Sequence, residues 1–482
     1  MNRKKASMTA LVGACASVVL LYSGAWAWQI NINGTATNSF DQARAVAVDG
    51  GGNVVAAGFT QNVGTGHDFT VVKFDGVSGV ELWRQEINGT RTNSNDQALA
   101  VAVDAGGDVV AAGFTQNVVT GNDFTVVKFD GVSGAELWRR VINGTALNSN
   151  DQALAVTVDS AGNVVAVGSS ENISCGEVCS VSSDFTVIKF DGVSGAELWR
   201  QEINGTANGH DFALAVTVDA AGDVVAAGFT QNTGTGNDFT VVKFDGVSGV
   251  ELWRQEINGT ANGDDQALAV AVDASGNVVA AGSTQNHRFT TDFTVFKFDG
   301  TSGAELWRQE NTGTRSFGNN QANAVTVDAA GNVVAAGVTN EINSNCDDFG
   351  CVTSFTVVKL DGVSGAVLWR RVINSIFGFP RFNEALAVAV DGAGNVVAAG
   401  FTQECSESSD CTQNFTVVKL DGVSGAELWR RVISSATFRN DQANAVTVDA
   451  AGNVVAAGVT VNVGTSGDFT VIKLRGEDGG DF

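Results

Sequence analysis

Tryptophan recurs along this chain at a nearly constant interval, and no other feature limits the possible folds so strongly. Beyond residue 27 the intervals run from 54 to 62 residues, and the positions are Trp28, Trp83, Trp138, Trp199, Trp253, Trp307, Trp369 and Trp429. Self-similarity at such a period indicates a repeat architecture, because one unit cannot bury its hydrophobic face alone. We therefore expect stacked copies of one small unit rather than unrelated domains.

Each unit contains four short runs of small, β-branched and aromatic residues. In residues 96–145 these runs are DQALAVAVD, VVAAGFT, DFTVVKFD and AELWRRVI, separated by Gly-rich turns and one variable polar loop. Four short strands with tight turns at regular spacing are typical of a propeller blade. Apolar residues on both faces of the runs indicate sheets packed between two neighbours. The sequence thus predicts an all-β fold of four-stranded antiparallel blades.

The two ends of the repeat region complement each other. The segment from Trp28 reads WQININGT and matches a fourth strand, whereas the last unit begins at Asp441 and stops without a Trp strand. A solenoid would instead need polar caps at its ends. Pairing the first strand with the last blade leaves no open sheet edge. We therefore expect an eight-bladed β-propeller over residues 28–474, followed by a short acidic tail at 475–482.

The first 27 residues differ from the repeats and are typical of a secretory signal peptide. They combine basic residues at positions 3–5, an apolar run over 8–21 and the small-x-small sequence Ala25-Trp26-Ala27. The run is shorter than the roughly 20 residues that span a bilayer. The expectation is export to the periplasm or the medium without a stable membrane span. Lipoprotein anchoring at Cys15 is the alternative, although cleavage there would leave an apolar stretch on the mature chain.

The formal net charge of −24 limits the partners. Contacts with phosphate groups need clustered Lys and Arg, so nucleic acid and anionic membrane surfaces are excluded as partner classes. The remaining expectation is a monomer that binds a protein or a cell-surface glycan.

The run DGVSGAELW resembles the tryptophan-docking motif of the quinoprotein-type propellers, here carried by Asp75, Gly79 and Trp83 and repeated in the next six units. The run AVTVDAAGNVVAAG, found at residues 324–337 and in close variants in the other units, is similar to the bacterial β-propeller repeats abbreviated SBBP. The resemblance implies eight blades, with the eight tryptophans packed between adjacent blades as structural docking residues. Fold resemblance alone says little about chemistry.

The resemblance also raises pyrroloquinoline quinone (PQQ) with calcium as a cofactor. The quinoprotein dehydrogenases carry a vicinal disulfide beside the quinone and long insertions with calcium ligands. This chain has no Cys-Cys pair and no long insertion in any unit. A PQQ-dependent enzyme is therefore the alternative interpretation, no catalytic residue is assigned, and cofactor-binding residues are left open.

Six aspartates begin the first strand of their units and would approach the mouth of the central channel, while Asn320 and Asn383 take this position in the other two units. They are Asp41, Asp96, Asp151, Asp211, Asp265 and Asp441. A ring of carboxylates could hold calcium through oxygen ligands. Alternatively, each Asp hydrogen-bonds backbone amides of its own blade.

The Asp of each VDxxGN or VDxxGD turn and the third-strand lysines recur in every unit. We therefore expect them to form turns and ion pairs.

Six cysteines lie in pairs inside lengthened loops between second and third strands. The pairs are Cys175 with Cys179, Cys346 with Cys351, and Cys405 with Cys411. The cysteines are even in number, lie close together in pairs and belong to a chain expected to be exported, so we predict three loop disulfides. A zinc site is the alternative, but it would need four ligands that converge from separate blades.

The absence of a unique catalytic motif favours a non-catalytic exported scaffold that binds through loops on one face, including 375–383 and 405–411. The alternatives are a quinone-dependent enzyme, a lyase or hydrolase at the channel mouth, and an assembly factor of the bacterial envelope.

Overall fold

The structure is a computed structural model that describes residues 27–175, 179–287, 290–311, 318–340, 353–374, 382–405, 411–434, 440–462 and 464–480. These residues form eight sheets, one per blade, and contain no helix. The signal peptide expected at 1–27, apart from Ala27, and the pair Cys346 and Cys351 lie outside the described residues, as does Cys15.

The strands are numbered in chain order. The innermost strands of blades 1 to 8 are β2 (Gln42–Val48), β7 (Gln97–Val103), β12 (Gln152–Val158), β16 (Phe212–Val218), β20 (Gln266–Val272), β24 (Gln321–Val327), β28 (Asn383–Val390) and β32 (Gln442–Val448). The second strands are β3 (Val54–Asn62), β8 (Val109–Asn117), β13 (Val164–Cys175), β17 (Val224–Asn232), β21 (Val278–His287), β25 (Val333–Asn340), β29 (Val396–Cys405) and β33 (Val454–Thr460).

The third strands are β4 (Gly66–Phe74), β9 (Gly121–Phe129), β14 (Cys179–Phe190), β18 (Gly236–Phe244), β22 (Thr290–Phe298), β26 (Thr353–Leu360), β30 (Cys411–Leu420) and β34 (Asp468–Leu474). The outer strands are β5 (Glu81–Ile87), β10 (Glu136–Ile142), β15 (Glu197–Ile203), β19 (Glu251–Ile257), β23 (Glu305–Asn311), β27 (Val367–Ile373) and β31 (Glu427–Ile433), with β1 (Trp28–Ile32) in blade 8. Two short strands, β6 (Ser94–Asn95) and β11 (Ser149–Asn150), add to blades 1 and 2.

The ring closes as the sequence predicts. In blade 8 the strand order is β1-β34-β33-β32, so the fourth strand comes from the beginning of the repeat region. β1 runs antiparallel to β34, with Trp28 opposite Lys473 and Ile32 opposite Phe469. Blade 8 thus has the same four strands as the other seven. We call its β1–β34 pairing, together with the contacts of these two strands with blade 1, the seam.

The hydrophobic core lies between blades rather than inside any one of them. Between blades 1 and 2, Phe69 and Val71 of β4 pack with Trp83 of β5 against Val109 and Phe129 of blade 2. Each blade has apolar side chains on both faces because it contributes to two such clusters. The tryptophans therefore pack between adjacent blades.

The docking position explains one invariant glycine of the repeat. Gly134, in the turn before β10, has a φ of 71° and lies under the indole of Trp83 from the preceding blade. A Cβ atom there would come within 2.7 Å of the indole ring. Glycine is favoured both because its φ is positive and because the ring leaves no space for a side chain.

Buried ion pairs connect each blade to the next at the opposite end of the strands from the lengthened loops. In blade 3, Lys189 Nζ lies 2.7 Å from Asp159 Oδ2 and donates to the carbonyl oxygen of Gly246 in blade 4 at 2.8 Å. Trp199 Nε1 donates to the same carbonyl at 3.2 Å. Equivalent Lys–Asp pairs occur in all eight blades, which confirms that these recurring residues form turns and ion pairs.

The seam lacks one of these contacts. Lys473 Nζ donates to the carbonyl of Gly76 at 2.8 Å, as the other lysines do in their blades. Trp28 Nε1, however, is buried without a hydrogen-bond partner in the described part of the chain. A buried donor without an acceptor costs free energy, so the seam is the least satisfied of the eight interfaces in this respect.

Candidate binding face

One end of the ring, here called the loop face, carries two kinds of loop. The first kind joins the second and third strands of a blade, and the second kind leads from an outer strand to the inner strand of the next blade. The second kind pairs in parallel with the first, for example where Ser149 and Asn150 of β11 lie beside Gly121 and Asn122 of β9. The opposite end, the turn face, has only tight turns. Variable segments are therefore concentrated on the loop face.

The six aspartates predicted to ring the channel mouth lie immediately before the inner strands, but their side chains are fully buried in their own blades. Asp41 accepts hydrogen bonds from Gly34 N at 3.0 Å, Ser39 Oγ at 2.6 Å and Gln61 N at 2.5 Å. Its carboxylate thus ties the incoming loop to the end of β3. This is the alternative arrangement, in which each Asp satisfies backbone amides.

The same pattern recurs around the ring. Asp151 accepts from Gly144 N at 2.9 Å and from Glu171 N at 2.6 Å. Asp441 accepts from Val461 N at 2.7 Å. Even Asn320 keeps the role, since its Oδ1 accepts from Asn340 N at 2.7 Å. The position therefore needs an acceptor for a backbone amide rather than a charge.

Metal binding at this ring is not supported by the arrangement of its side chains. Within the described ranges, no three His, Cys, Asp or Glu side chains group closely enough to hold a metal ion. The carboxylates of the ring already bind donors of their own blades. Calcium binding by these six residues stays a prediction, as does the choice of any cofactor.

The ring aspartates differ in acidity because the loops before them differ. Burial raises the pKa of Asp41, Asp96 and Asp151, and hydrogen bonds from serine hydroxyls two residues earlier oppose that rise. Asp211 and Asp265 follow Gly209 and Gly263 instead of serine. Without a hydroxyl donor, burial raises the pKa of each to about 6.

These raised pKa values predict a pH dependence of stability. Between about pH 4 and pH 6 the folded chain keeps protons on Asp211 and Asp265 that the unfolded chain has lost. The free energy of unfolding therefore falls as the pH rises through this range, by up to about 1.4 kcal/mol per pH unit for each group. We expect Asp211→Asn to remove one such contribution in urea unfolding measured from pH 4 to pH 7.

The control for this experiment is Asp151→Asn, because Ser149 donates to Asp151 and holds its pKa lower than that of Asp211. Asn is tolerated at this position in blades 6 and 7, as Asn320 and Asn383 show. The turn aspartates such as Asp159 have a lowered pKa, so their effect on stability has the opposite sign and is the same in both variants. An unchanged pH slope in Asp211→Asn would contradict the raised pKa.

Blade 3 presents the longest described hairpin on the loop face. β13 and β14 stay paired for twelve residues each, out to Cys175 opposite Cys179, whereas β3 and β4 have nine residues each. Ile173 and Val181 are direct cross-strand partners on this extension, and both are exposed. The extension therefore offers a pair of apolar side chains to a partner.

Leu147 connects this extension to the neighbouring blade. It is 79 % exposed and lies in the loop that leads into blade 3. On one side of it, Ala146 N donates to Glu171 O of the blade 3 hairpin at 3.2 Å. On the other side, Ser149 N donates to Thr120 O of the blade 2 hairpin at 2.7 Å. Leu147 thus lies between the two hairpin loops.

We call this surface the apolar patch, and it consists of Val118, Val119, Leu147, Ile173 and Val181, all exposed. Val118 and Val119 form the tip of the blade 2 hairpin, where blades 1 and 4 carry Val-Gly and Thr-Gly. Apolar side chains exposed together on neighbouring loops mark interaction sites. Sequence reasoning missed the patch because its members come from three separate loops, although the Val118-Val119 pair was a visible signal.

The predicted disulfides lie at the ends of two hairpins. Cys175 is the cross-strand partner of Cys179, and Cys405 is that of Cys411, so each pair is placed at a hairpin tip. Cys411 is disulfide-bonded. Pairing within each hairpin stays a prediction, and so does the third pair at 346 and 351. The loop 375–383 lies outside the described residues except for its last two positions.

In the part of the chain that the structure describes, no helix is long and apolar enough to cross a membrane.

Comparison with known proteins places these features in context. The sequence profile of the family described as outer membrane protein assembly factor BamB matches residues 172–291 and 291–479, well over half of the chain. No curated protein matches the chain.

Several solved structures share the fold. The quinohemoprotein alcohol dehydrogenase from Comamonas testosteroni is 12% identical, with a TM-score of 0.54 over 95% of this chain and 77% of that one. Sqt1 from Saccharomyces cerevisiae is 8% identical, with a TM-score of 0.56 over 93% and 99% of the two chains. The Dos1 propeller is 13% identical, with a TM-score of 0.55 over 95% and 97%. At these identities the likeness concerns the fold alone.

Proposed function

The chain belongs to the family described as outer membrane protein assembly factor BamB, and on this premise we propose that it is a non-catalytic scaffold that binds a protein partner through the apolar patch. The observation that carries the proposal is the exposure of five apolar side chains on adjoining loops of blades 2 and 3. An assembly factor acts by holding other proteins, and the family description supports a protein rather than a glycan as the partner.

The patch has the properties of a binding surface built on a rigid base. The blade 2 hairpin is fixed by Thr90, whose hydroxyl accepts from Val118 N at 3.2 Å. The blade 3 hairpin is fixed in the same way by Thr145, which accepts from Ile173 N at 2.9 Å. Fixed loops lose little conformational entropy when a partner binds, so more of the contact energy appears as affinity.

The placement of the chain in the cell forms part of the proposal. The family description names the outer membrane, and the first 27 residues have the pattern of an export signal. We therefore place the protein in the cell envelope, on the side reached by export. Pyrroloquinoline quinone and calcium are not required for this role.

Charge reversal on the patch tests the proposal. We expect Ile173→Asp combined with Leu147→Asp to weaken partner binding at least tenfold, because a carboxylate would be buried in an apolar interface. The control is Val193→Asp, which changes an exposed valine of the same blade on the turn face. Binding is measured with the partner that crosslinks to a photoreactive side chain placed at Leu147 in envelope extracts.

Three outcomes separate the alternatives. Loss of binding in the patch variant with retention in Val193→Asp supports the patch. Equal binding by both variants contradicts it. Crosslinked material that survives protease but is destroyed by periodate would identify a glycan and would also contradict the proposal.

A further inference from the structure

One sector of the channel mouth departs from the repeat. Inner strands start with Gln-Ala-Leu or a close variant in blades 2 to 5, but blade 1 has Gln-Ala-Arg, blade 7 has Glu-Ala-Leu, and blades 6 and 8 have Gln-Ala-Asn. Arg44 and Glu384 are the two charged residues of the eight inner strands. A residue repeated in every blade is explained by the fold, whereas Arg44 is unique and needs another reason.

Arg44 lies at a bulge that the inner strands of all blades share. β2 and β3 shift register between Ala43 and Ala45. At the equivalent position of blade 8, Asn444 Nδ2 reaches forward to the carbonyl of Ala43 at 2.7 Å. At the equivalent position of blade 6, Asn323 Nδ2 donates to Ala385 O at 2.8 Å. This position therefore lies where two inner strands meet at the channel.

Arg44 has no acidic partner in the described part of the chain. Its recorded contact is with the ring of Phe59, whose centroid lies 5.7 Å from Cζ. The one inner-strand carboxylate, Glu384, accepts from Asn323 Nδ2 at 2.8 Å instead. In a chain of net charge −24, an unpaired guanidinium is unexpected, since acidic groups far outnumber basic ones.

Phe59 in turn contacts two further rings. Its centroid lies 5.9 Å from that of Phe40 and 4.7 Å from that of His67. Phe40 is itself partly exposed, at a position where blades 2 and 3 carry Asn95 and Asn150. Arg44 is exposed as well, so its guanidinium is accessible to an anion from solution.

We propose that Arg44 binds a monoanionic carboxylate at the loop-face mouth of the channel, with the exposed part of Phe40 available to the apolar part of the ligand. Guanidinium and carboxylate match in geometry and can form two parallel hydrogen bonds. One cation neutralises one negative charge, whereas a phosphate dianion would remain uncompensated in this acidic chain. The site is on blade 1 and does not depend on the apolar patch of blades 2 and 3.

Short peptides with and without a terminal charge test the site on the full propeller. We expect N-acetyl-Ala-Ala-Phe with a free carboxylate to bind at least tenfold more tightly than its C-terminal amide, measured by calorimetric titration. Arg44→Leu should lose this preference. The variant is compatible with the fold because Leu99, Leu154 and Leu214 occupy the same position.

Controls and competing probes make the result decisive. Arg91→Leu removes the same charge from an exposed loop residue of the loop face and should bind the free acid within twofold of the unchanged protein. N-acetylphenylalanine separates the two sources of the carboxylate: weaker binding than the peptide indicates a peptide terminus, and equal binding indicates a small carboxylate. Equal binding of acid and amide, unchanged binding in Arg44→Leu, or tighter binding of inorganic phosphate would each overturn the proposal.

Discussion

Removal of residues 28–36 is expected to lower the stability of all eight blades together rather than to loosen one end. The deletion takes away β1, which buries Trp28 and Ile32 at the seam. Truncating a buried Trp costs about 3 to 5 kcal/mol and a buried Ile about 2 to 5 kcal/mol, so we expect the free energy of unfolding to fall by about 5 to 10 kcal/mol. Thermal unfolding followed by circular dichroism should show one transition at a lower temperature.

A substitution control separates loss of the strand from loss of residues in general. Gln29→Ala with Asn31→Ala changes the less buried side of β1 and should leave the melting temperature nearly unchanged. Adding a peptide of residues 28–36 to the deleted protein should raise the melting temperature again, because it binds only the folded ring. A deleted protein that melts like the full chain would contradict the closure.

Loss of a single buried lysine is expected to have the second large effect. Lys189→Met leaves Asp159 buried without its cation and the Gly246 carbonyl with one donor fewer. Breaking one side of a buried ion pair typically costs about 3 to 5 kcal/mol, because the remaining charge is desolvated and unpaired. Urea unfolding at pH 7 measures this loss.

Two further variants identify the cause. Lys189→Met with Asp159→Asn removes both charges and should recover part of the loss, since no uncompensated carboxylate remains. Arg200→Met breaks the exposed pair between Arg200 and Glu197, at 2.8 Å in the same blade, and should cost at most about 1 kcal/mol. Equal effects of Lys189→Met and Arg200→Met would show that burial of the pair is irrelevant.

The sequence predicted the features that every blade repeats. Trp83, Gly134 and Lys189 belong to positions that recur in nearly every unit, and a recurring residue at a strand or turn is set by the packing of neighbouring blades. The seam could be predicted for the same reason, since β1 matches the fourth strand missing from the last unit. These features could be predicted from the repeat period of the sequence without any knowledge of side-chain directions.

Features that depend on side-chain direction could not be predicted in this way. The position of Asp41 at the start of an inner strand was predicted correctly, but a strand start does not reveal whether the carboxylate faces the channel or the amide of Gln61. The apolar patch required knowing that Leu147 lies between two hairpins. Arg44 was visible as a departure from the repeat, but its lack of an acidic partner was not.

The seam also determines how such a ring can change its size. Each of blades 1 to 7 is built from consecutive strands of one repeat unit, so a duplicated unit adds one complete blade whose two faces fit any existing pair of neighbours. β1 and β34 keep their pairing whatever number of units lies between them. Gain or loss of whole units by recombination therefore leaves no unpaired edge, and the number of blades is limited by ring geometry rather than by the chemistry of closure.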